Sequence, residues 1–185
     1  MNKFMSRAGE KLSYALEKLD FNVKGLTVAD FGSSTGGFVD CLLQNQAEKI
    51  YSIDTSYGEL AWLLRNNPKV VVMERTNAMH VKLPEKVDLV TIDTAWTKQI
   101  LTIPNALENI KPDGSIISLI KPHYEAPKNY LERGRLKDEY VDEVLEKTKN
   151  DITAVGGKVI VIIESPIVGE KGKNREFLAL IQRAG

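Results

Sequence analysis

Seven short apolar runs, spaced by amphipathic segments, constrain this chain more than any other feature. They are TVADF (27–31), KIYSID (49–54), VVVM (70–73), DLVTID (88–93), SIISLI (115–120), KVIVII (158–163) and EFLALI (176–181). Four of them are nearly all apolar, the pattern of strands covered on both faces. Helical patterns fill the gaps at 37–44, 57–66 and 98–109. The clearest comes before the sixth run, where Val141, Val144, Leu145, Thr148, Ile152 and Val155 recur at helical spacing and Gly156-Gly157 stops the helix. Such alternation predicts an α/β fold, a mainly parallel sheet with helices on both faces. The last gap, ESPIVGEKGKNR, carries no helical pattern. A parallel return would need a crossover, so the expectation is six parallel strands and an antiparallel last one.

A chain of 185 residues suits one domain, 1–185, with residues 1–24 and their helix as part of it. Twenty-five basic residues balance 25 acidic ones, which excludes a strongly basic nucleic-acid binder; any RNA contact must come from a local patch. Basic clusters lie at Lys3–Lys11, Lys128–Lys137 and Lys171–Arg175, each containing or adjoining acids. The single cysteine, Cys41, cannot form an internal disulfide and fits a reducing cytosol. With two histidines, His80 and His123, no zinc cluster is expected. No run has signal-peptide or transmembrane length, so a soluble cytoplasmic protein with no membrane role is expected.

The segment ADFGSSTGGF joins the first strand to a helix through Gly32, Gly36 and Gly37. Glycines let a backbone turn tightly and approach a ligand, and a helix N-terminus favours negative groups. The spacing is neither a dinucleotide fingerprint nor a phosphate-binding loop ending in Gly-Lys-Ser/Thr. Asp30 suits a ligand carrying an ammonium group, such as the methionine portion of S-adenosylmethionine. Asp54 ends the second strand, where an acid can accept hydrogen bonds from a ribose diol or simply form a turn. Asn77, in ERTNA, offers an adenine partner or an ordinary loop residue. The candidate cofactor contacts are Asp30, Gly32, Ser33, Ser34, Thr35, Gly36, Gly37, Phe38, Asp54, Asn77 and Asp93.

Ligands of open α/β sheets bind outside the carboxyl ends of the parallel strands. Asp93 ends the fourth run and Lys121 the fifth, so both belong to that edge. An antiparallel last strand brings Glu176 to the same rim. Lys11 lies at the margin of the stripe Ala8, Leu12, Ala15, Leu16 and Leu19. On periodicity alone it reads as a side chain reaching for water.

The motifs SRAGEKL, DFGSSTGGFVDCLLQ, SYGELAWLLR, MERTNA, DLVTID, LIKPHYEA and SPIVGEKGKNREFL closely resemble those of TlyA-type (hemolysin A) methyltransferases, within the FtsJ-like ribose 2′-O-methyltransferases. The resemblance spans nearly the whole chain. It implies a class I methyltransferase fold, S-adenosylmethionine as methyl donor with S-adenosylhomocysteine as product, and RNA as partner, ribosomal RNA or a ribosomal subunit first. It also implies a catalytic tetrad of Lys11, Asp93, Lys121 and Glu176. In that scheme Lys121 takes the proton from a ribose hydroxyl, its pKa lowered by burial or by Lys11 nearby. Members commonly carry an N-terminal RNA-binding module. This chain starts directly before SRAGEKL, so a domain without that module is expected. TAWTKQ after Asp93 departs from the family's DVSF-like sequence; Trp96 there stacks on a base or packs under a loop. Two other functions compete: methylation of a small molecule or protein, and a catalytically silent assembly factor that binds cofactor and RNA.

Overall fold

The computed structural model describes residues 3–169 and 172–185. Helix α1 (Ala8–Lys18) leads to β1 (Thr27–Phe31), α2 (Gly37–Gln44), β2 (Lys49–Ile53), α3 (Trp62–Arg65) and β3 (Val70–Met73). Then come β4 (Val87–Ile92), α4 (Gln99–Asn109), β5 (Ile110–Ile120) and α5 (Pro122–Glu125). A hairpin of β6 (Leu131–Glu132) and β7 (Arg135–Leu136), α6 (Val141–Ala154), β8 (Gly157–Glu164) and β9 (Phe177–Arg183) complete the chain.

Seven strands form one sheet in the order β3-β2-β1-β4-β5-β9-β8. Strand β9 pairs antiparallel with β5 and β8, and the other pairings of this sheet are parallel. Six strands therefore run one way and the last runs against them, as the missing crossover required. The strand order reverses beside β1, which places a crevice between the carboxyl ends of β1 and β4.

Because successive strand residues face opposite ways, the sheet divides two apolar clusters. Val28, Ile50 and Leu89 pack with Leu12, Leu42 and Leu64 of α1, α2 and α3. Phe31, Tyr51 and Val90 pack on the other face with Ile103 of α4 and Ile152 of α6.

Three details differ from the sequence expectations. Helix α3 covers four residues rather than the span 57–66. Gly58 takes a φ of +79° and donates its N–H to Glu74, which also pairs with Arg65, so the start of that segment is held as a loop. The apolar run KVIVII forms the sheet edge, and Ile160 and Val161 stay partly exposed. The hairpin and α5 were not anticipated. The Lys171 end of the third basic cluster lies outside the described residues. Among the described residues, no helix is long and apolar enough to cross a membrane.

Helices α1 and α2 meet glycine to glycine. A Cβ on Gly9 would lie 2.5 Å from the Phe4 Cβ and 2.7 Å from the Gly37 carbonyl oxygen. One on Gly37 would lie 2.9 Å from the Gly9 amide nitrogen. Such distances leave no room for a methyl group, so these glycines set how closely α1 lies on the sheet. Gly9→Ala should cost about 2 kcal/mol and lower the melting temperature by roughly 4–8 °C. An unchanged melting temperature by scanning calorimetry would show that the helices can separate freely.

Candidate active site

The crevice is built by the segments that leave β1, β2 and β4. Beyond β1, the Gly32 and Ser33 N–H groups both donate to the Ile53 carbonyl, at 2.8 and 3.1 Å. Gly32 has a φ of +88°, and a Cβ there would lie 2.7 Å from the Asp93 carbonyl oxygen. Only glycine lets the two loops cross at this distance. Asp54 accepts the Ser34 N–H at 2.7 Å and both the N–H and hydroxyl of Ser56, at 2.8 and 2.6 Å. It braces the glycine loop from below while forming part of the cavity wall.

That cavity measures about 390 Å³ and lies among Gly32, Ser34, Asp54, Asn77, Asp93 and Trp96. Its size suits a small-molecule ligand. Asn77 lines it, with its Oδ1 accepting the Met79 N–H at 2.9 Å. A second cavity of about 210 Å³ shares Gly32, Ser34, Asp93 and Ala95 with the first and extends to Ser33, Phe38 and Lys121. The two adjoin at Asp93.

Two ion pairs occupy this rim. Lys121 Nζ lies 2.6 Å from Asp93 Oδ1 and donates to the Thr94 carbonyl at 3.3 Å. Lys11 Nζ donates to Glu176 Oε2 at 2.5 Å. Phe177 pairs with Ile120 across β5 and β9, which sets the preceding Glu176 beside Lys121. Glu176 is 4% exposed and Lys11 11%, so Lys11 is held by a buried acid and does not reach for water.

The charge state of Lys121 corrects the sequence expectation. Burial works to lower its pKa, but the charge and hydrogen bond of Asp93 outweigh burial, and Glu176 adds to them. The net shift is upward, so the resting side chain is an ammonium. Lys11 does not reverse this, because its own charge is matched by Glu176.

Residues 4–182 match the FtsJ-like methyltransferases. The chain belongs to this family. It is 36% identical over 95% of its length to YqxC of Bacillus subtilis, a presumed rRNA methyltransferase, and spans 64% of that relative. It is 34% identical over 96% of its length to TlyA of Mycobacterium tuberculosis, a 16S/23S rRNA (cytidine-2′-O)-methyltransferase, and spans 68% of it. A solved structure of a presumed hemolysin from Streptococcus thermophilus superposes on all of the chain with a TM-score of 0.95. That structure is 29% identical, and the chain covers 68% of it.

Not every expected contact of this FtsJ-like chain reaches the cavities. Asp30 is fully buried, because strand alternation turns it into the sheet face beneath α1 and α2. Its Oδ1 accepts the Thr91 hydroxyl at 2.7 Å, while Oδ2 has no hydrogen-bond partner among the described residues. A ligand's ammonium group would not touch it directly. Gly36 faces Leu60 and Leu64 of the α3 segment, and Gly37 faces α1, so both glycines serve packing rather than ligand approach. Thr35 is exposed, and its carbonyl accepts the Ala61 N–H at 3.1 Å.

Other residues escaped the sequence analysis. Buried Glu125 accepts the Gln99 N–H at 2.9 Å, and the Gln99 side chain accepts the Ser118 hydroxyl at 2.6 Å. This network fixes the start of α4, and with it the loop carrying Trp96. Trp96 is 78% exposed with a φ of +62° and stands 4.9 Å from the Tyr124 ring, so it does not pack under a loop. The motif LIKPHYEA contains both Tyr124 and Glu125, but nothing in its spacing separates their roles.

Burial raises the Asp30 carboxyl from 3.8 to about 7, with the Thr91 hydrogen bond opposing. Between those values the folded chain holds a proton that the unfolded chain releases, so stability falls as pH rises toward 7. From pH 5 to 8 the parent should lose roughly 2–3 kcal/mol relative to Asp30→Asn in urea denaturation. Parallel pH profiles would show that Asp30 titrates normally.

Proposed function

We propose that this protein transfers a methyl group from S-adenosylmethionine to a ribose 2′-hydroxyl of RNA, with ribosomal RNA as the substrate. The observation that carries the proposal is the Lys121–Asp93 ion pair where two cavities adjoin, with Lys11–Glu176 on the same rim. The family, and the relative named for cytidine-2′-O methylation of rRNA, support it. The larger cavity fits the methyl donor: it has a small-ligand volume, an acid on its wall and an exposed backbone at Gly32. Gly32, Ser34, Asp54 and Asn77 would hold the adenosyl portion. Bound there, S-adenosylmethionine supplies an electrophilic methyl group on a sulfonium and leaves as S-adenosylhomocysteine.

The residues of this chain position the acceptor and handle its proton. Lys121, once it has shed its resting proton, accepts the proton of the 2′-hydroxyl. Asp93 orients Lys121, and Glu176 holds Lys11 alongside. Holding donor and acceptor in line contributes as much as the base. Trp96, exposed beside Tyr124, offers a face for a nucleobase next to the reacting ribose. The substrate RNA or ribosomal subunit would be met in the cytoplasm.

Because Asp93 keeps Lys121 protonated, the free-base fraction is small at neutral pH and grows as pH rises. The single-turnover methylation rate should therefore rise between pH 7 and 9, approaching tenfold per unit. Lys121→Ala should lose about 100-fold or more in rate while still binding S-adenosylmethionine in calorimetry. A variant that methylates RNA at the parental rate would eliminate Lys121 as the base.

A further inference from the structure

We propose that two facing turns, 133–134 and 172–173, form a grip for the phosphate backbone of the RNA substrate, an inference that rests on the proposed function. The β6–β7 hairpin closes through Arg133 and Gly134, with φ of +49° and +81°. Two-residue hairpin loops of this kind normally begin with asparagine, aspartate or glycine, and a long side chain rarely adopts this backbone. The second turn repeats the arrangement in Gly172 and Lys173, with φ of +71° and +49°. The glycines face each other: a Cβ on Gly172 would lie 3.4 Å from the Gly134 carbonyl oxygen. Each turn thus sets an exposed cation, Arg133 or Lys173, next to a close glycine contact.

A buried asparagine locks the turns together. Asn174 is 3% exposed; its Nδ2 donates to the Gly134 carbonyl at 3.1 Å and its Oδ1 accepts the Leu136 N–H at 2.9 Å. Its own carbonyl accepts the Gly169 N–H at 2.8 Å. Gly169 lies against Glu176, where a Cβ would come within 2.6 Å of Oε1. On the other side β7 packs on α5, which begins one residue after Lys121. The grip is therefore tied to both lysine–carboxylate pairs of the active site.

The exposed cations at the two turn tips favour a polyanion. Arg135 pairs with Asp138 at 3.2 Å, an exposed contact of little strength, and Arg175 turns to Glu164 at 2.7 Å. From 132 to 139, Glu132, Asp138 and Glu139 balance Arg133, Arg135 and Lys137, so the attraction rests on the cations that the turns hold out to solvent. Among the described residues, Arg133 and Lys173 form no ion pair. In a chain of zero net charge, a local pair of exposed cations tied to the site supplies the attraction that the whole surface does not.

The test is fluorescence anisotropy of a fluorescein-labelled mixed-sequence RNA 20-mer at several KCl concentrations. Arg133→Ala/Lys173→Ala should bind about tenfold more weakly at low salt, and its slope of log affinity against log salt should be shallower by about 1.4, two single-strand phosphate contacts. KM for RNA should rise by a similar factor, with affinity for S-adenosylmethionine retained. Asn174→Ala keeps every cation and should also weaken RNA binding. A double variant with the parental affinity and slope overturns the grip, and parental binding by Asn174→Ala overturns the role of the lock. Binding is read without turnover, so a parent that grips RNA but methylates none of it refutes the proposed function alone. Unchanged KM for RNA in an active double variant refutes the grip alone.

Discussion

Lys121 gives up most of its solvent at the end of β5, and Asp93 is what makes that tolerable. Removing a charge from water costs several kcal/mol unless a close partner and further hydrogen bonds offset it. Here the partner sits at 2.6 Å and the Thr94 carbonyl takes a second bond. The same condition governs Lys11 and Glu176 a short way along the rim. Each pair draws its members from different elements, so the charges are matched only when the sheet has its native register. A one-residue slip of β5 or β9 would turn Lys121 or Glu176 to the opposite face and leave its partner unpaired.

The close contact of Gly9 and Gly37 extends this dependence beyond the sheet. Helix α1 has no hydrogen-bonded ladder to fix its position, so its depth is set by what fits between it and α2. Two absent side chains allow the backbones to touch, and at that depth Lys11 reaches a buried carboxylate. The glycines of the loop after β1 thus divide between two tasks. Gly32 lets two loops cross at the ligand crevice, whereas Gly36 and Gly37 let helices pack.

Much of this was legible in the sequence, for identifiable reasons. Apolar runs separated by amphipathic segments reveal strands and helices because burial has a period. The patternless stretch ESPIVGEKGKNR revealed the antiparallel strand because a helix cannot be hidden in it. From these, the convergence of Asp93, Lys121 and Glu176 followed. The position of Lys11 did not, since it rests on a glycine contact between segments far apart in sequence. Nor did the burial of Asp30, because the side on which a strand residue falls depends on packing that no single strand specifies. The upward shift of Lys121 was also out of reach: it depends on how closely Asp93 approaches, and burial alone argues for the opposite sign.

The proposed activity moves a methyl group to a ribose oxygen and to no base or protein. Mass-spectrometric nucleoside analysis of RNA incubated with the protein and isotopically labelled S-adenosylmethionine reads this directly. The label is expected in 2′-O-methylnucleosides of ribosomal RNA. Label on a base, on protein or on a small molecule, with none on ribose, would contradict it.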